Sequence, residues 1–329
     1  MPLLVDLRGE NDMPTRGSRQ ENGSTGFRRG QRVTVRGLNE ILATLDADAK
    51  LEGLPFILEM APLCGKTFRV FRRAEKTCVE GVGLRSMKNT VFLEGLRCDG
   101  SAHDGCQRGC LFFWKNAWLK PAGKDGTGVD TASGAAVAAS SFIRDASQLP
   151  TTKGDLFFCQ STELASATGE FQRDKLRTYL RDMRIGEMSP WRFAYIMLMA
   201  LLNRVWRLLR GRSYYEVTGE QKKTLTQELN LQPGELVEIK SAAEIQATLD
   251  AKGRNRGLSF EPEMAQHCGR RYRVGAPLRT IVSEQSGKML HLNNTVVLEG
   301  LICRGMCSLN CPRANYFYWR EIWLKRVSD

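Results

Sequence analysis

Residues 89–96 read NTVFLEGL and residues 294–301 read NTVVLEGL, so two distant stretches of the chain agree at seven of eight positions. The offset between them is 205 residues. Upstream, the segment ATLDA at 43–47 recurs at 247–251 with an offset of 204. Self-similarity at a nearly constant spacing is the signature of an internal repeat. We therefore expect two copies of one module, the second carrying a one-residue insertion.

The hydrophobic pattern of each copy predicts a strand, a short helix and three further strands. In the first copy the strands are expected near 31–36, 67–73, 90–97 and 111–119, and the helix near 38–46. Short runs of Val, Phe, Leu and Trp between Gly and polar turns are typical of β-strands. We expect an α+β fold: two duplicated small SH3-like β-barrel modules, each with an inserted helix, joined by a helical linker region. An open antiparallel sheet is the alternative for each module.

Two pairs of tryptophans end the copies with a spacing of four residues. Trp114 and Trp118 in the first copy correspond to Trp319 and Trp323 in the second. Side chains an even number of residues apart share one face of a strand. We expect each pair on a single last strand, facing the core.

Composition divides the remainder of the chain. Residues 1–29 predict a disordered basic arm, because they are rich in polar residues and lack periodicity. The first module is expected at 30–120 and the second at 231–329. Residues 121–150 predict a flexible linker, and residues 151–230 a helical segment.

Within that segment, residues 190–210 predict an amphipathic helix. Arg192, Asn203, Arg207 and Arg210 fall on one stripe at helical periodicity. The favoured interpretation buries the apolar face against the modules, with the basic stripe facing water. The alternative is peripheral membrane contact through 190–210, with the helix lying on an anionic surface.

Ten cysteines occur in a chain whose first residues lack a secretory signal. We therefore expect a cytoplasmic protein with reduced thiols, which more often bind metal than form disulfides. Offsets make three cysteines equivalent in the two modules, and a fourth follows or precedes one of them by four residues. The predicted ligands are Cys64, Cys98, Cys106 and Cys110 in the first module, and Cys268, Cys303, Cys307 and Cys311 in the second.

Four thiolates suit two zinc sites or two [4Fe–4S] clusters, and the choice between these metals stays open. Cys78 and Cys159 are interpreted as packing residues outside these sets. His103 and His267 lie near the cysteines, where each is interpreted as a solvent-exposed side chain or as a replacement ligand. Glu59, which recurs in the second copy, is expected to anchor Arg69 or to cap a loop.

The segments GLPFILEM (53–60), LEGLRCDGSAHDGCQRGC (93–110) and CPRANYFYWREIWLKR (311–326) resemble a bacterial family of paired Cys-rich modules. The resemblance covers both modules and, more loosely, the helical middle. It implies the duplicated architecture and no particular activity. The first strand also resembles SH3-like barrels such as the β-subunit domain of nitrile hydratase.

The function expected from these features is that of a metal-binding accessory protein with an unidentified protein partner. Whether it is an enzyme stays open, because no nucleophile, Walker or dinucleotide-binding pattern is visible. One alternative is an iron–sulfur protein for electron transfer or redox chemistry. The other is a tandem nucleic-acid-binding protein, since the net charge of +12 favours acidic partners.

Overall fold

The computed structural model describes residues 26–123, 143, 145–171, 180, 182–183, 186–210 and 217–327, with the side chains of residues 210 and 307 left undescribed. The predicted basic arm and most of the predicted linker lie outside these ranges. Among the described residues, two similar β-rich modules account for most of the chain, as the repeat predicts.

Each module is built on a curled, antiparallel five-stranded sheet. In the first module the strands are β1 (Arg32–Val35), β2 (Lys50–Leu51), β3 (Leu54–Pro55), β4 (Thr67–Arg73), β5 (Lys76–Val79), β6 (Gly83–Ser86), β7 (Thr90–Arg97), β8 (Leu111–Lys115) and β9 (Leu119–Pro121). The sheet order is β8-β7-β4-β1-β9, while β2 and β3 form a separate hairpin. Its curl has the form of a half-barrel, so the coarse architecture expected from the sequence is present.

A short intermediate segment follows the first module. It contributes strands β10 (Thr152–Lys153), β11 (Leu156–Phe157) and β12 (Gly169–Glu170). Strand β12 pairs with β6 and extends the small sheet β12-β6-β5. Residues 151–171 therefore pack on the first module rather than forming the helical linker that the sequence suggests.

The second module repeats the arrangement of the first. Its strands are β13 (Leu236–Ile239), β14 (Arg254–Asn255), β15 (Leu258–Ser259), β16 (Arg271–Pro277), β17 (Thr280–Val282), β18 (Met289–His291), β19 (Thr295–Ile302), β20 (Tyr316–Arg320) and β21 (Leu324–Arg326). The order β20-β19-β16-β13-β21 matches the first sheet strand for strand. Both sheets carry a bulge at the same place, after Val70 in β4 and after Val274 in β16.

The described helices are few. The α-helices are α1 (Leu38–Leu42), α2 (Leu164–Ala167), α3 (Pro190–Arg210) and α4 (Ala242–Gln246). The 3-10 helices span Leu58–Leu63, Asn116–Trp118, Ala146–Gln148, Pro262–His267, Met306–Ser308 and Glu321–Trp323. Within the described ranges, no helix has both the length and the hydropathy needed to cross a bilayer.

The tryptophan pairs lie in the core, but not on one strand. Strand β8 ends at Lys115, and Trp118 belongs to the 3-10 helix that follows. Phe56 contacts both rings edge to face, with ring centroids 6.5 Å from Trp114 and 5.4 Å from Trp118. The predicted continuous strand over 111–119 is therefore wrong, because a helical turn between the tryptophans delivers both rings to the same core residue.

The repeated ATLDA segment supplies polar partners to this core. The indole Nε1–H of Trp118 donates to Oγ1 of Thr44 at 3.0 Å, and Trp323 donates to Thr248 at the same distance. The threonine hydroxyl satisfies one buried indole N–H in each module, whereas those of Trp114 and Trp319 have no hydrogen-bond partner among the described residues.

The two modules meet through loops that cross between them. In the first module, Sγ of Cys106 accepts a hydrogen bond from the backbone N–H of Val282 at 3.2 Å. Two residues further on, Arg108 donates from Nη1 to the carbonyl of the same Val282 at 3.1 Å. A single C-x-R motif thus satisfies both backbone groups of one residue in the opposite module.

The second module makes the same contact in return. Sγ of Cys311 accepts the N–H of Cys78 at 3.3 Å, and Nη1 of Arg313 donates to the carbonyl of Cys78 at 2.7 Å. Cys78 and Val282 occupy equivalent positions in the repeat. The modules are therefore related by an approximate twofold exchange of contacts.

Candidate metal centre

A buried carboxylate, a half-buried thiol and a buried imidazole come together in the first module. Glu59 lies in the 3-10 helix Leu58–Leu63, Cys98 directly follows β7, and His103 lies in the loop after it. One carboxylate oxygen, Sγ and one ring nitrogen lie within 4.8 Å of one another, the one such group found among the described residues. Carboxylate, thiolate and imidazole are the three side-chain types that bind zinc in proteins.

Glu59 is the centre of this group. Its Oε1 lies 2.6 Å from Nδ1 of His103 and accepts hydrogen bonds from Sγ of Cys98 at 3.7 Å and from the N–H of Ala102 at 3.2 Å. Its other oxygen, Oε2, is buried and has no hydrogen-bond partner among the described residues. The side chain is 2% exposed. An unpartnered carboxylate oxygen at such depth is costly unless a cation or another donor completes it.

His103 is positioned from its far side. Its Nε2 lies 2.9 Å from the carbonyl of Phe158, in the segment that packs on the first module. A metal-binding histidine commonly donates its second N–H to a backbone carbonyl, which fixes the tautomer. With Nε2–H donated to Phe158, Nδ1 faces Glu59 and Cys98, where it would bind a metal ion after losing its proton.

The protonation of the group follows from its contacts. Burial lowers the pKa of His103, but hydrogen bonds to Glu59 and Phe158 outweigh it and the pKa is raised. Burial raises the pKa of Glu59, but the hydrogen bonds from His103 and from backbone N–H groups, together with the charge of His103, outweigh it and the pKa is lowered. Burial and the Glu59 carboxylate raise the pKa of the Cys98 thiol. Without a bound cation, Nδ1 of His103 and Sγ of Cys98 carry protons and donate hydrogen bonds to the Glu59 carboxylate.

The corresponding loop of the second module has the same backbone and different side chains. The N–H of His103 donates to the carbonyl of Gly100, and Ser308 donates equivalently to Gly305, at 2.9 and 3.1 Å. Ser308 therefore stands where the first module has His103. Both glycines have positive φ, and a Cβ at either one would collide with the backbone of the loop cysteine.

Both carboxylate oxygens of Glu263, the counterpart of Glu59, have hydrogen-bond donors. Its Oε1 accepts the N–H of Arg304 at 2.6 Å, and its Oε2 accepts the N–H of Met306 at 3.1 Å. Cys303 donates to the same Oε2 at 3.6 Å. In the second module, backbone N–H groups thus donate to both oxygens of Glu263. In the first module, Oε2 of Glu59 has no donor among the described residues.

The cysteines predicted as ligands are distributed over several environments. Cys98, Cys106 and Cys110 line a small cavity of about 30 Å³ together with Cys159 and His103. A cavity of this size holds a water molecule or an ion but not an organic ligand. Cys64 lies at the end of a 3-10 helix against the core and does not line the cavity.

In the second module, the predicted set is also divided. Cys268 and Cys303 pack beside the core of that module. Cys311 is buried at the contact with Cys78, and the side chain of Cys307 lies outside the described part of the structure. Burial raises the pKa of Cys268. The described residues bring no four of the predicted thiols within mutual ligand distance.

Several expectations about the neighbours of these cysteines are wrong. His103 is 2% exposed rather than facing solvent. Arg69 donates to the carbonyl of Gly30, not to Glu59, whereas the alternative that Glu59 caps a loop is confirmed by the N–H of Ala102 that it accepts. His267 packs against aromatic rings, with Nδ1 2.8 Å from the hydroxyl of Tyr272, and burial lowers its pKa to about 4. The sequence predicted Cys98 as a ligand and offered His103 as a replacement ligand, but it did not predict that Glu59 joins them.

No protein-family model matches this chain, and neither a curated protein nor a solved structure matches it. Any function must therefore be inferred from the geometry of the sites themselves.

Proposed function

We propose that the protein binds one divalent zinc-like metal ion in its first module, through Glu59, Cys98 and His103. The observation that carries the proposal is the unpartnered, buried Oε2 of Glu59 beside a thiol and an imidazole. Three protein ligands leave a fourth position for water. A mixed set of this kind favours zinc over a [4Fe–4S] cluster, which is usually held by four cysteines.

In place of the two four-cysteine sites expected from the sequence, we propose one site with a carboxylate, a thiolate and an imidazole ligand. Ser308 in place of His103 and the completed carboxylate of Glu263 argue for metal in the first module alone. An accessory role in a cytoplasmic setting, a protein partner and the SH3-like assignment of the half-barrels remain proposals that rest on the sequence.

Metal analysis of the purified full chain tests this proposal. We expect about one equivalent of zinc in the wild type. His103→Ser, which copies the second module, and Cys98→Ser should lose it. Cys303→Ser is the matched control and should retain it. Wild-type protein without stoichiometric metal, or loss of metal from Cys303→Ser alone, would contradict the proposal. A brown protein with iron and labile sulfide would favour the iron–sulfur alternative.

A second function, attachment to an anionic membrane surface, is favoured by helix α3. Large apolar side chains that are between 42% and 86% exposed cover one continuous face of this helix: Trp191, Tyr195, Leu198, Leu201, Leu202, Val205, Leu208 and Leu209. The face spans roughly 140° of the helix circumference at about 100° per residue. This is the reverse of the orientation expected from the sequence, which buried the apolar face.

The polar side of α3 faces the protein at one end. Arg192 is half-buried and donates to the carbonyl of Arg304 at 3.0 Å. The helix contains four arginines and no acidic residue. A helix with an exposed apolar face, whose charged residues are all basic, is suited to the interface of an anionic bilayer. That charge complementarity favours lipid over a second copy of this basic chain.

Co-sedimentation with vesicles decides this second function. The wild type should bind vesicles that contain phosphatidylserine more strongly than vesicles of phosphatidylcholine alone. Leu201→Glu with Leu208→Glu should abolish binding, whereas Val82→Glu with Leu225→Glu changes two other exposed apolar residues and should not. Absence of wild-type binding, or a dimer in sedimentation that the helix variant dissolves, would contradict the membrane assignment.

A further inference from the structure

A cavity in the second module collects positive charge. It has a volume of about 440 Å³ and is lined by Lys222, Lys223, Arg256, His291 and Arg320. No Asp or Glu is among the described residues that line it. The volume falls within the range of small-molecule sites, about 300–1,000 Å³.

The equivalent place in the first module is neutralised. Lys115, whose side chain is 2% exposed, donates to Glu52 at 2.8 Å and to the carbonyl of Lys88 at 3.2 Å. Glu52 lies in the β2–β3 turn and has a positive φ of 51°. A buried ammonium group is thus paired with a carboxylate at its outer end, as buried cations usually are.

The repeat replaces both members of this pair. Arg256 occupies the position of Glu52, with a closely similar φ of 47°, and Arg320 occupies the position of Lys115. The β14–β15 turn and strand β20 keep the backbone of the first module, but a guanidinium group stands where the first module has a carboxylate. Burial and the charge of Arg256 lower the pKa of Arg320. No carboxylate of the described residues forms an ion pair with Arg256 or Arg320.

Arg320 is held rigidly by neutral acceptors. Its Nε donates to the carbonyl of Asn255 at 3.3 Å, and its Nη2 donates to the carbonyl of Arg256 at 2.9 Å. Its Nη1 donates to the carbonyl of Asn293 at 2.8 Å and to Oγ1 of Thr295 at 2.9 Å. A guanidinium group has five N–H donors, so these four contacts leave one N–H of Nη2.

We propose that this cavity binds a small phosphorylated anion, with a mono- or diphosphate group taking the place that Glu52 holds in the first module. Arg320 supplies a fixed buried charge at the base of the cavity. Arg256, Lys222 and Lys223, which are exposed, supply donors around its mouth. Arginine and lysine are the usual phosphate-binding side chains. Their convergence on one cavity favours a compact anion over a nucleic-acid backbone, which requires a charged track.

Isothermal titration calorimetry of the full chain with inorganic pyrophosphate at low salt tests the site. The wild type should bind one equivalent. Arg256→Glu should weaken binding by about tenfold or more, since it removes a charge-assisted contact and adds an intramolecular competitor. Arg256→Glu with Arg320→Lys rebuilds the pair of the first module and should bind no pyrophosphate. Lys66→Glu, which makes the same charge change on the first module, should bind as the wild type does.

The outcomes separate the alternatives. If Arg320→Lys prevents folding, Arg256→Glu and Lys222→Glu still decide, because both residues are exposed. The proposal is overturned if the wild type shows no saturable pyrophosphate binding or if Lys66→Glu weakens it equally. It is also overturned if single-stranded RNA binds tightly while pyrophosphate does not. Metal content is independent of this cavity, so failure here leaves the zinc proposal intact.

Discussion

Sγ of Cys311 accepts the backbone N–H of Cys78 across the contact between the modules, and Cys106 makes the equivalent bond to Val282. Both thiols are buried, and both bonds join residues of opposite modules. The two cysteines are therefore acceptors that hold the modules together, whatever else they contact.

Removing either acceptor should weaken the contact between modules. Cys106→Ala and Cys311→Ala should each lower the free energy of unfolding by about 1–3 kcal/mol, because each leaves a buried N–H unsatisfied. Urea denaturation measures the loss, with Cys268→Ala as the control outside the contact. Metal content should stay unchanged in both variants. Loss of zinc from Cys106→Ala would instead support the thiolate set expected from the sequence.

Glu284 should contribute stability that is lost in acid. Burial raises its pKa, but Arg313 and Arg108 outweigh it, so the pKa lies below the ordinary value of 4.5. A lowered pKa in the folded state gives stability that is fully present above pH 4.5 and disappears as the pH falls through the folded value. Glu284→Gln should therefore flatten the acid limb of a stability–pH profile.

The same substitution should also be costly at neutral pH. It leaves Arg313, which is 5% exposed, without the carboxylate that it contacts. Breaking a buried ion pair on one side costs about 3–5 kcal/mol. Glu94→Gln, at an exposed glutamate, is the control and should change the unfolding midpoint little. Identical midpoints for Glu284→Gln and wild type would show that the contact between modules does not depend on this pair.

The Lys115–Glu52 ion pair of the first module predicts opposite effects on stability from substitutions at position 52 and at its equivalent, position 256. Glu52→Gln should lower stability by about 1–2 kcal/mol, because the buried Lys115 loses its partner while the half-exposed carboxylate is partly screened by water. Arg256→Glu should raise stability by a similar amount. Thermal melts without added phosphate measure both. Destabilisation by Arg256→Glu would mean that the second cation is required by the fold.

The threonine–tryptophan bonds should be equivalent and independent. Thr44→Val and Thr248→Val should each cost about 1 kcal/mol, because each leaves a buried indole N–H without its acceptor. The double variant should show the sum, since the two bonds lie in separate cores. Thr→Ser at either position retains the hydroxyl and serves as the control. A strongly non-additive double variant would indicate that the cores are coupled.

The sequence predicted the repeated scaffold well because identical cores need identical residues. The strands near 67–73 and 90–97 were placed to within a residue, and the tryptophans were correctly assigned to the core. Helix α3 was also placed correctly, but its orientation was reversed, because periodicity shows that a helix has two faces and not which one meets the protein.

The sites were less predictable because their residues come from separate elements. Glu59 and His103 are 44 positions apart, and only the folded loop brings them within 2.6 Å. The thiols were predicted as ligands because three of them recur in both copies, yet Cys106 and Cys311 accept hydrogen bonds across the contact between the modules. The repeat shows that Arg256 replaces Glu52, but only the structure shows that Glu52 forms an ion pair with Lys115.

The exchanged contacts of the C-x-R loops make the molecule an isologous dimer within one polypeptide. In such an arrangement each contact has a symmetry mate, so the surface around the pseudo-twofold axis constrains both halves together. Positions away from the axis carry no such constraint. This difference in constraint explains why both modules retain the same loop backbone and the same interface cysteine. Away from the axis they differ: Glu59 has an unpartnered oxygen in the first module, and Arg256 replaces a glutamate in the second. Because both modules belong to one chain, they can carry different side chains in their loops while they keep a symmetric contact. The subunits of a homodimer have identical sequences and cannot differ in this way.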